Sequence, residues 1–411
     1  MEKLIEIFID KYMNRQEVLY RVAPKINIDE FWEKLLAARK RYALSTSLLD
    51  KQGEPFWIAV TPKLAHNMDY IDEMGLQEVF SAVEGELADK LLLEAVLDEA
   101  FFSSVIEGAF STKQRTAELI ATHSAPVNKS EKMILNNYHA LHFLLENLDK
   151  PLDEAMILAV YRRVTQNTLE ADDVVAKYRT GPVYVWDAAL NNAIYEAPAH
   201  AKVQEMMDSL VRFIQDDSDG LHPVLKACMI HMYFVYIHPF FDGNGRTARA
   251  ISYMYLLQRG YGFFKFFSIS SIVREHKAKY YKAIKDTEDY GSDMTYFALY
   301  YTDMIVSSIR TVLTRFRKEY SRKLIKECLG KMGVALSKRQ ARLVNVLSQE
   351  GKNFVTIEEY VKKFKVVYET GRSDLNQLVE IGLLTKAKVG KKFVYKLVQP
   401  ETFYALCKQL D

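Results

Sequence analysis

Apolar residues along this chain recur mostly at helical spacing, broken in a few places by short runs with strand character. Leu4, Ile5, Phe8, Ile9 and Tyr12 share one helical face, and Phe31, Leu35 and Leu36 mark another helix after Pro24. Pro55 and Pro62 bracket Phe56–Val60, too short to assign, which reads as a connecting segment against the core. A strongly helical pattern covers Leu87–Thr122, and Ser130–Leu148 and Leu152–Thr168 follow as two more helices. The texture then changes. Val183-Tyr184-Val185-Trp186 and Ala193-Ile194-Tyr195-Glu196 are β-prone runs around Asp187–Asn192, and together they predict a hairpin. Ala201–Gln215 is again helical, and the acid run Asp216-Asp217-Ser218-Asp219-Gly220 after it reads as a solvated loop.

The next segment is the most apolar. Lys226–Ile237 is long and unbroken enough for a buried helix, and Pro239 stops it. Ala248, Ile251, Tyr255 and the Leu256–Leu257 pair then recur at helical spacing as far as Gly260, which has the place of a C-terminal cap. A long helix over Asp293–Tyr320 leads to a polar stretch near Glu319–Ser337. Beyond it, Arg339–Ser348, Thr356–Phe364 and Glu369–Ile381 are three helices, and Leu383–Thr385 and Phe393–Leu397 are strand-like. The expected organisation is mainly α, with an N-terminal helical segment (1–86), a core (87–320) and a C-terminal unit (330–411).

The chemistry collects in the tight turn between the two core helices that flank Pro239. His238-Pro239-Phe240-Phe241-Asp242-Gly243-Asn244-Gly245-Arg246-Thr247-Ala248-Arg249 holds an imidazole, a carboxylate, two glycines around an asparagine, and two arginines. Gly243 and Gly245 can expose consecutive N–H groups as a nest where the next helix presents its positive dipole end, so an anion belongs there. Arg246 and Arg249 lie three apart on that helix, and guanidinium forks suit phosphate oxygens. Asp242 offers Mg²⁺ a hard oxygen ligand, and His238 is able to take a proton near neutral pH. Taken singly, a histidine after an apolar helix is usually a core residue; convergence on one turn favours catalysis.

The string resembles, at every fixed position, the core motif of the Fic (filamentation induced by cAMP) family. That resemblance implies an all-helical core with a β-hairpin flap and an enzyme that moves AMP from ATP to a hydroxyl side chain of a target protein. It implies His238 as the base and Asp242 as the Mg²⁺ ligand. The Gly243–Gly245 backbone and Asn244 would hold the α-phosphate, and Arg246 and Arg249 the outer phosphates. Upstream, Ser103-x-x-x-Glu107-Gly108 resembles the family's inhibitory motif, in the subclass that carries it N-terminal to the core motif. The implied partner of Glu107 is Arg249, so that glutamate and the γ-phosphate of ATP compete for one guanidinium. The hairpin (Val183, Tyr184, Val185, Trp186, Ile194, Tyr195) corresponds to the flap that docks the target by strand addition. Tyr280 and Tyr281 read first as packing between helices, with a place beside the adenine as the lesser alternative for either.

The C-terminal pattern of three helices and a basic wing, Lys386 to Lys392, resembles a winged helix-turn-helix. Arg372, Ser373 and Asn376 would face a DNA major groove, against the acids Glu369, Asp374 and Glu380 on the same helix. A protein-interaction or dimerisation module is the equal alternative. Rival readings of the whole chain are removal of AMP from a modified protein by the same site, and a nucleotide-sensing transcriptional regulator.

Composition narrows this further. At 411 residues, two or three domains are expected, and 49% hydrophobic residues suffice for large cores. Fifty-five Lys and Arg against 53 Asp and Glu give no global field toward nucleic acid or membrane. Cys228, Cys328 and Cys407 fit a reducing compartment and neither a disulfide framework nor a zinc site. No segment reads as a signal peptide or a bilayer span. The expectation is a soluble cytoplasmic protein, with a homodimer among the states it allows.

Overall fold

The computed structural model describes residues 2–22, 26–41, 43–76, 85–187, 192–348, 354–390, 392–399 and 402–405. It divides into two compact units, Met1–Ile309 and Arg310–Asp411. The N-terminal segment thus shares a unit with the core.

In the first unit, helices α1 (Glu2–Lys11), α2 (Arg15–Leu19) and α3 (Ile28–Lys40) lead into a hairpin of β1 (Ala43–Leu49) and β2 (Pro55–Ala59). The strands pair Ala43 with Ala59 and Ser45 with Trp57. The connecting segment expected at Phe56–Val60 is therefore mostly strand. Phe56, Trp57, Ile58 and Ala59 are all buried, so this strand has no solvent face and none of the alternation by which strands are read. The Trp57 N–H donates to the Ser292 carbonyl at 3.2 Å, and the Met294 N–H to the Trp57 carbonyl at 2.9 Å. Arg39, 1% exposed, donates to Tyr296 Oη at 2.8 Å, the Phe8 carbonyl at 3.0 Å and the Met13 carbonyl at 2.8 Å, which fixes the N-terminal helices to the start of a later one.

After α4 (Pro62–Leu76) come α5 (Glu86–Ile106), α6 (Lys113–Thr122), α7 (Lys129–Leu145) and α8 (Glu154–Val164). The pattern predicted as helical over 87–122 breaks after Ile106, because Gly108 takes φ +94° and the Gly108 and Ala109 N–H groups turn back to the Val105 and Ser104 carbonyls. β3 (Tyr184–Asp187) and β4 (Asn192–Glu196) form an antiparallel two-stranded sheet that pairs Tyr184 with Glu196 and Val185 with Tyr195. Residues 188–191 of the expected hairpin lie outside the described ones. Helix α9 (Val203–Gln215) precedes the central pair, α10 (Pro223–Ile237) and α11 (Asn244–Gln258).

Thirteen of the fifteen residues of α10 are buried, which makes it the hub of the unit. Side chains such as Met229, Ile230 and Phe234, each 0% exposed, contribute roughly 1.5–3 kcal/mol apiece by leaving water. The acid run before α10 is not a free loop. Lys226, 1% exposed, donates to Asp219 at 2.6 Å, and Asp217 pairs with Arg259 at 2.5 Å. Helices α12 (Ile269–Glu275) and α13 (Lys277–Asp289) complete the wall around the site.

The division between units falls inside α14 (Thr295–Lys331), which runs through much of the polar stretch expected as a linker. Leu324, Ile325 and Cys328 keep its helical apolar spacing and are buried. In the second unit, α15 (Lys338–Leu347), β5 (Phe354–Thr356), α16 (Ile357–Phe364), α17 (Tyr368–Glu380), β6 (Leu384–Val389) and β7 (Lys392–Leu397) surround one apolar cluster. The sheet order is β5-β7-β6. Gly371 lets α16 and α17 approach closely, since a Cβ there would lie 3.0 Å from Val361 Cγ2 and 3.2 Å from Tyr360. Cys228 and Cys328 are buried thiols, and Cys407 lies outside the described residues. Among the described residues no helix is long and apolar enough to cross a membrane.

Candidate active site

The site begins where α10 runs out. His238 caps that helix in the left-handed region, φ 49° and ψ 60°, with its N–H closing the last turn onto the Phe234 carbonyl at 3.0 Å. Pro239 has no N–H to continue it. The imidazole is half-buried, and its Nδ1–H donates to the Val235 carbonyl at 3.2 Å, which leaves Nε2 as the open acceptor. Burial pushes the His238 pKa down to about 4, so the ring is neutral at physiological pH.

The turn is held from inside. Asn244 Oδ1 accepts from the Phe240 N–H at 3.0 Å and Asn244 Nδ2 donates to the Phe240 carbonyl at 2.8 Å, while the Phe240 ring stacks on Tyr161 with centroids 3.4 Å apart. Gly243 sits at φ +86° as the N-cap of α11, and a Cβ there would fall 2.6 Å from Thr165 Cγ2. Arg246 is 0% exposed and donates to the Val164 carbonyl at 2.8 Å and to Asp242 Oδ1 at 3.2 Å. Asn244 and Arg246, expected on phosphate, are both buried here: the asparagine clamps the turn, and the arginine bonds the end of α8 and Asp242 while its Nε is buried without a partner. Asp242 Oδ1 also accepts from the Gly243 N–H, and its side chain is 38% exposed.

The first amides of α11 have no acceptors within the helix, so the turn presents an electropositive nest. A carboxylate already lies there. A Cβ built on Gly245 would be 2.1 Å from Glu107 Oε1 and 3.2 Å from Oε2. The same Oε1 accepts from Arg249 Nη2 at 2.7 Å. Arg249, 4% exposed, also donates through Nε to Ser103 Oγ at 2.8 Å and through Nη2 to the Ser103 carbonyl at 2.9 Å. Its Nη1 is buried and without a partner. Glu107 reaches this point because it caps α5, with Gly108 taking the positive φ beyond it; Lys277 Nζ donates to the preceding Ile106 carbonyl at 2.6 Å.

Around these groups lies a cavity of about 310 Å³. Glu107, Gly245 and His238 line it, Val183, Tyr184 and Tyr195 come from the hairpin, and Tyr281, Ile284, Lys285 and Glu288 form one face of α13. Tyr280 lines it as well, with its Oη against His231 Nε2 at 2.9 Å. Of Val185 and Trp186 the backbone pairing, with Tyr195 and Ala193, is described and the side chains are not; Ile194 lies in β4 at the shift in register between those two pairs. Sequence reasoning missed Glu288, whose Oε1 is buried without a partner and whose pKa burial pushes up to about 8. It missed Lys277 and Arg179 too. The only available signals were helical spacing from Tyr281 to Glu288 and an arginine just before the hairpin.

A helix-terminal anion nest, a neutral histidine beside it and an arginine sharing a carboxylate with that nest make a site suited to an anion in a helical fold with a hairpin at its rim. Residues 151–256 match the Fic/DOC family, and residues 339–395 match the DeoR-like helix-turn-helix domain. The chain thus carries a Fic/DOC domain followed by a helix-turn-helix domain. It is 30% identical to the protein adenylyltransferase Fic of Nematostella vectensis over 204 residues, 47% of this chain and 45% of that protein. To the protein of the same name from Drosophila persimilis it is 26% identical, over 67% of this chain and 56% of that one. The chain therefore spans about half the length of the curated relatives it matches. Its fold is similar to that of a Fic family protein from Desulfovibrio desulfuricans, with a TM-score of 0.55, 16% identity, and coverage of 83% of this chain and 97% of that one. A Fic domain-containing signalling protein from Bacteroides thetaiotaomicron gives a TM-score of 0.51 at 20% identity, covering 61% of this chain and 96% of that one.

Proposed function

We propose that the Fic domain transfers AMP from ATP to a hydroxyl side chain of a target protein, and that Glu107 holds it inactive. The observation that carries this reading is the Glu107 carboxylate lying against Gly245 in the anion nest and 2.7 Å from Arg249. A triphosphate in the nest would need both, so ATP and Glu107 compete. The names of the curated relatives point to the same reaction.

In-line attack at the α-phosphorus forms the new P–O bond as the bond to the α–β bridging oxygen breaks and pyrophosphate leaves, and it asks chiefly for positioning, a base and charge neutralisation. His238 Nε2 takes the proton of the attacking hydroxyl, and the α11 amides receive phosphate oxygens. Arg249 takes the outer phosphates once Glu107 leaves. The Asp242 carboxylate fits a single inner-sphere bond to Mg²⁺, and such an ion would neutralise phosphate charge; no group of three His, Cys, Asp or Glu suited to a metal occurs among the described residues, so phosphate oxygens and waters would complete its shell. The two-stranded hairpin, with strand edges available for main-chain pairing, docks an extended target segment.

The test is transfer of label from α-labelled ATP. Glu107→Gly is expected to raise it roughly 10- to 100-fold, the worth of one charge-assisted hydrogen-bonded pair. His238→Ala in that background is expected to lower it by about 10²–10⁴. Undiminished transfer without His238 contradicts the assigned base. Because Glu107 and His238 line one cavity, removal of AMP is the second reading: loss of AMP from a pre-modified target only while Glu107 is present favours it.

For the second unit we propose duplex DNA as the ligand. Arg372 and Ser373 are exposed on α17, beside the exposed wing residues Lys386 and Lys388. Asp374, counted from the sequence as an acid opposing phosphate, is buried and accepts from Arg339 at 2.9 Å and Tyr360 at 2.8 Å. Asn376, expected to read bases, accepts instead from Lys386 at 3.1 Å and Tyr395 at 3.2 Å. Base reading would fall to Arg372 and Ser373. Fluorescence anisotropy with duplex DNA at graded salt tests this, and affinity that does not respond to salt argues for a protein partner.

A further inference from the structure

Arg179 is 2% exposed and carries a charge into the interior, yet every acceptor it uses is a main-chain carbonyl and, among the described residues, none is a carboxylate. Its Nε donates to the His238 carbonyl at 2.8 Å, its Nη1 to Gly181 at 2.8 Å, and its Nη2 to Ile237 at 3.3 Å and to Pro198. Its own N–H donates to the Pro239 carbonyl at 2.9 Å. These acceptors come from three places. Ile237, His238 and Pro239 are the end of α10 and the start of the turn; Gly181 lies just before β3; Pro198 lies just after β4.

One guanidinium therefore joins the peptide of the base to both roots of the flap. Burying an unpaired cation is expensive, and a neutral side chain of the same volume would serve packing at less cost. His238 needs such a brace, because a non-glycine residue in the left-handed region costs on the order of 1 kcal/mol or more and holds only where its surroundings over-determine it. We propose that Arg179 is a positioning residue that sets the flap and His238 as one unit, so that a target strand docked on the hairpin presents its hydroxyl at Nε2. The inference rests on the reading of His238 as the base and adds the coupling between base and docking strand.

The experiment compares Arg179→Met and Arg179→Lys, each in the Glu107→Gly protein. The expected result for Met is a kcat lower by roughly 10- to 100-fold, KM for ATP within about twofold of the parent, and a higher KM for the target. Lys keeps the charge with fewer of the carbonyl bonds and should fall between; it is the deciding variant if Met does not fold. Two further readouts hold even if the parent transfers nothing, which would defeat the function but not the coupling. Amides of Tyr184–Asp187 and Asn192–Glu196 should exchange faster in both variants. The imidazole pKa of His238, followed by NMR, should rise in Met, since a neighbouring positive charge is lost, and stay near the parent value in Lys. Unchanged flap exchange together with an unmoved His238 titration, or an ATP KM that rises as much as kcat falls, overturns the proposal.

Discussion

Glu107 accepts a hydrogen bond from an arginine that keeps a buried donor to spare. Arg249 Nη1 has no partner while Nη2 and Nε serve Glu107 and Ser103, so the residue is under-used for a purely structural role. A neighbouring carboxyl poses a separate question of pH. Glu288 has its folded pKa raised to about 8, against an ordinary value near 4.5. Between those values the folded state holds a proton that the unfolded state has released, so this group's contribution to stability falls as pH rises from about 4.5 through 8. Glu288→Gln is expected to remove that dependence and raise Tm at pH 8.5 by roughly 2–4 °C while changing little at pH 5.5, as thermal melts at the two pH values would reveal. For His238 the sign is the reverse case: its pKa lies below the ordinary one, so the base stays deprotonated down to about pH 4 and no activity limb near 6.5 is expected in the pH–rate profile of the Glu107→Gly protein. The roles of Asn244 and Arg246 were beyond sequence reasoning for a physical reason. A polar side chain in a glycine-rich turn serves equally to bind a ligand or to satisfy the turn's own backbone, and the contacts to Phe240 and Val164 that add the second role are tertiary ones with no local mark.

Among elements, the end of α5 gives Ser-x-x-x-Glu-Gly its spacing. Ser103 and Glu107 meet Arg249 from adjacent turns, and Gly108 at φ +94° ends the helix so that the carboxylate lies over the nest. Gly108→Ala forces a side chain into that conformation at a cost of about 1 kcal/mol, so it should loosen Glu107 and raise label transfer several-fold, less than Glu107→Gly does. Transfer unchanged by the alanine would mean the cap does not hold the glutamate. In the second unit, Gly371→Leu would wedge α16 from α17 and is expected to destabilise that unit by about 1–3 kcal/mol, measured by denaturant unfolding of the full chain. The three helices and wing were legible because each keeps its own apolar period and ends in turn residues. The β1–β2 hairpin was not, since Phe56–Ala59 are buried all round and their pairing with Ala43–Leu49 is a tertiary fact. The predicted linker was misread for a related reason: polar residues on the exposed faces of α14 hid the spacing of Leu324, Ile325 and Cys328.

For the whole molecule, a twelve-residue motif carried most of the legible function, while the residues that hold it came from distant parts of the chain. Arg179 lies 59 residues before His238, and Ser103 146 before Arg249; no local pattern marks such partners. Two units with separate cores allow their ligands to be tested separately in the full chain. For the helix-turn-helix unit, Lys388→Ala should weaken DNA binding about equally across sequences and reduce the salt slope by about one, whereas Arg372→Ala should also relax sequence preference. For the Fic domain, the claim on which the rest depends is that Glu107 and the terminal phosphate of ATP contend for Arg249. Calorimetric titration of the wild type and the Glu107→Gly protein with Mg²⁺-ATP and Mg²⁺-ADP measures this directly. Nearly equal affinity for the two nucleotides is expected in the wild type, and a preference for ATP of roughly tenfold or more once the glutamate is gone. The same ATP-to-ADP ratio in both proteins would contradict that claim.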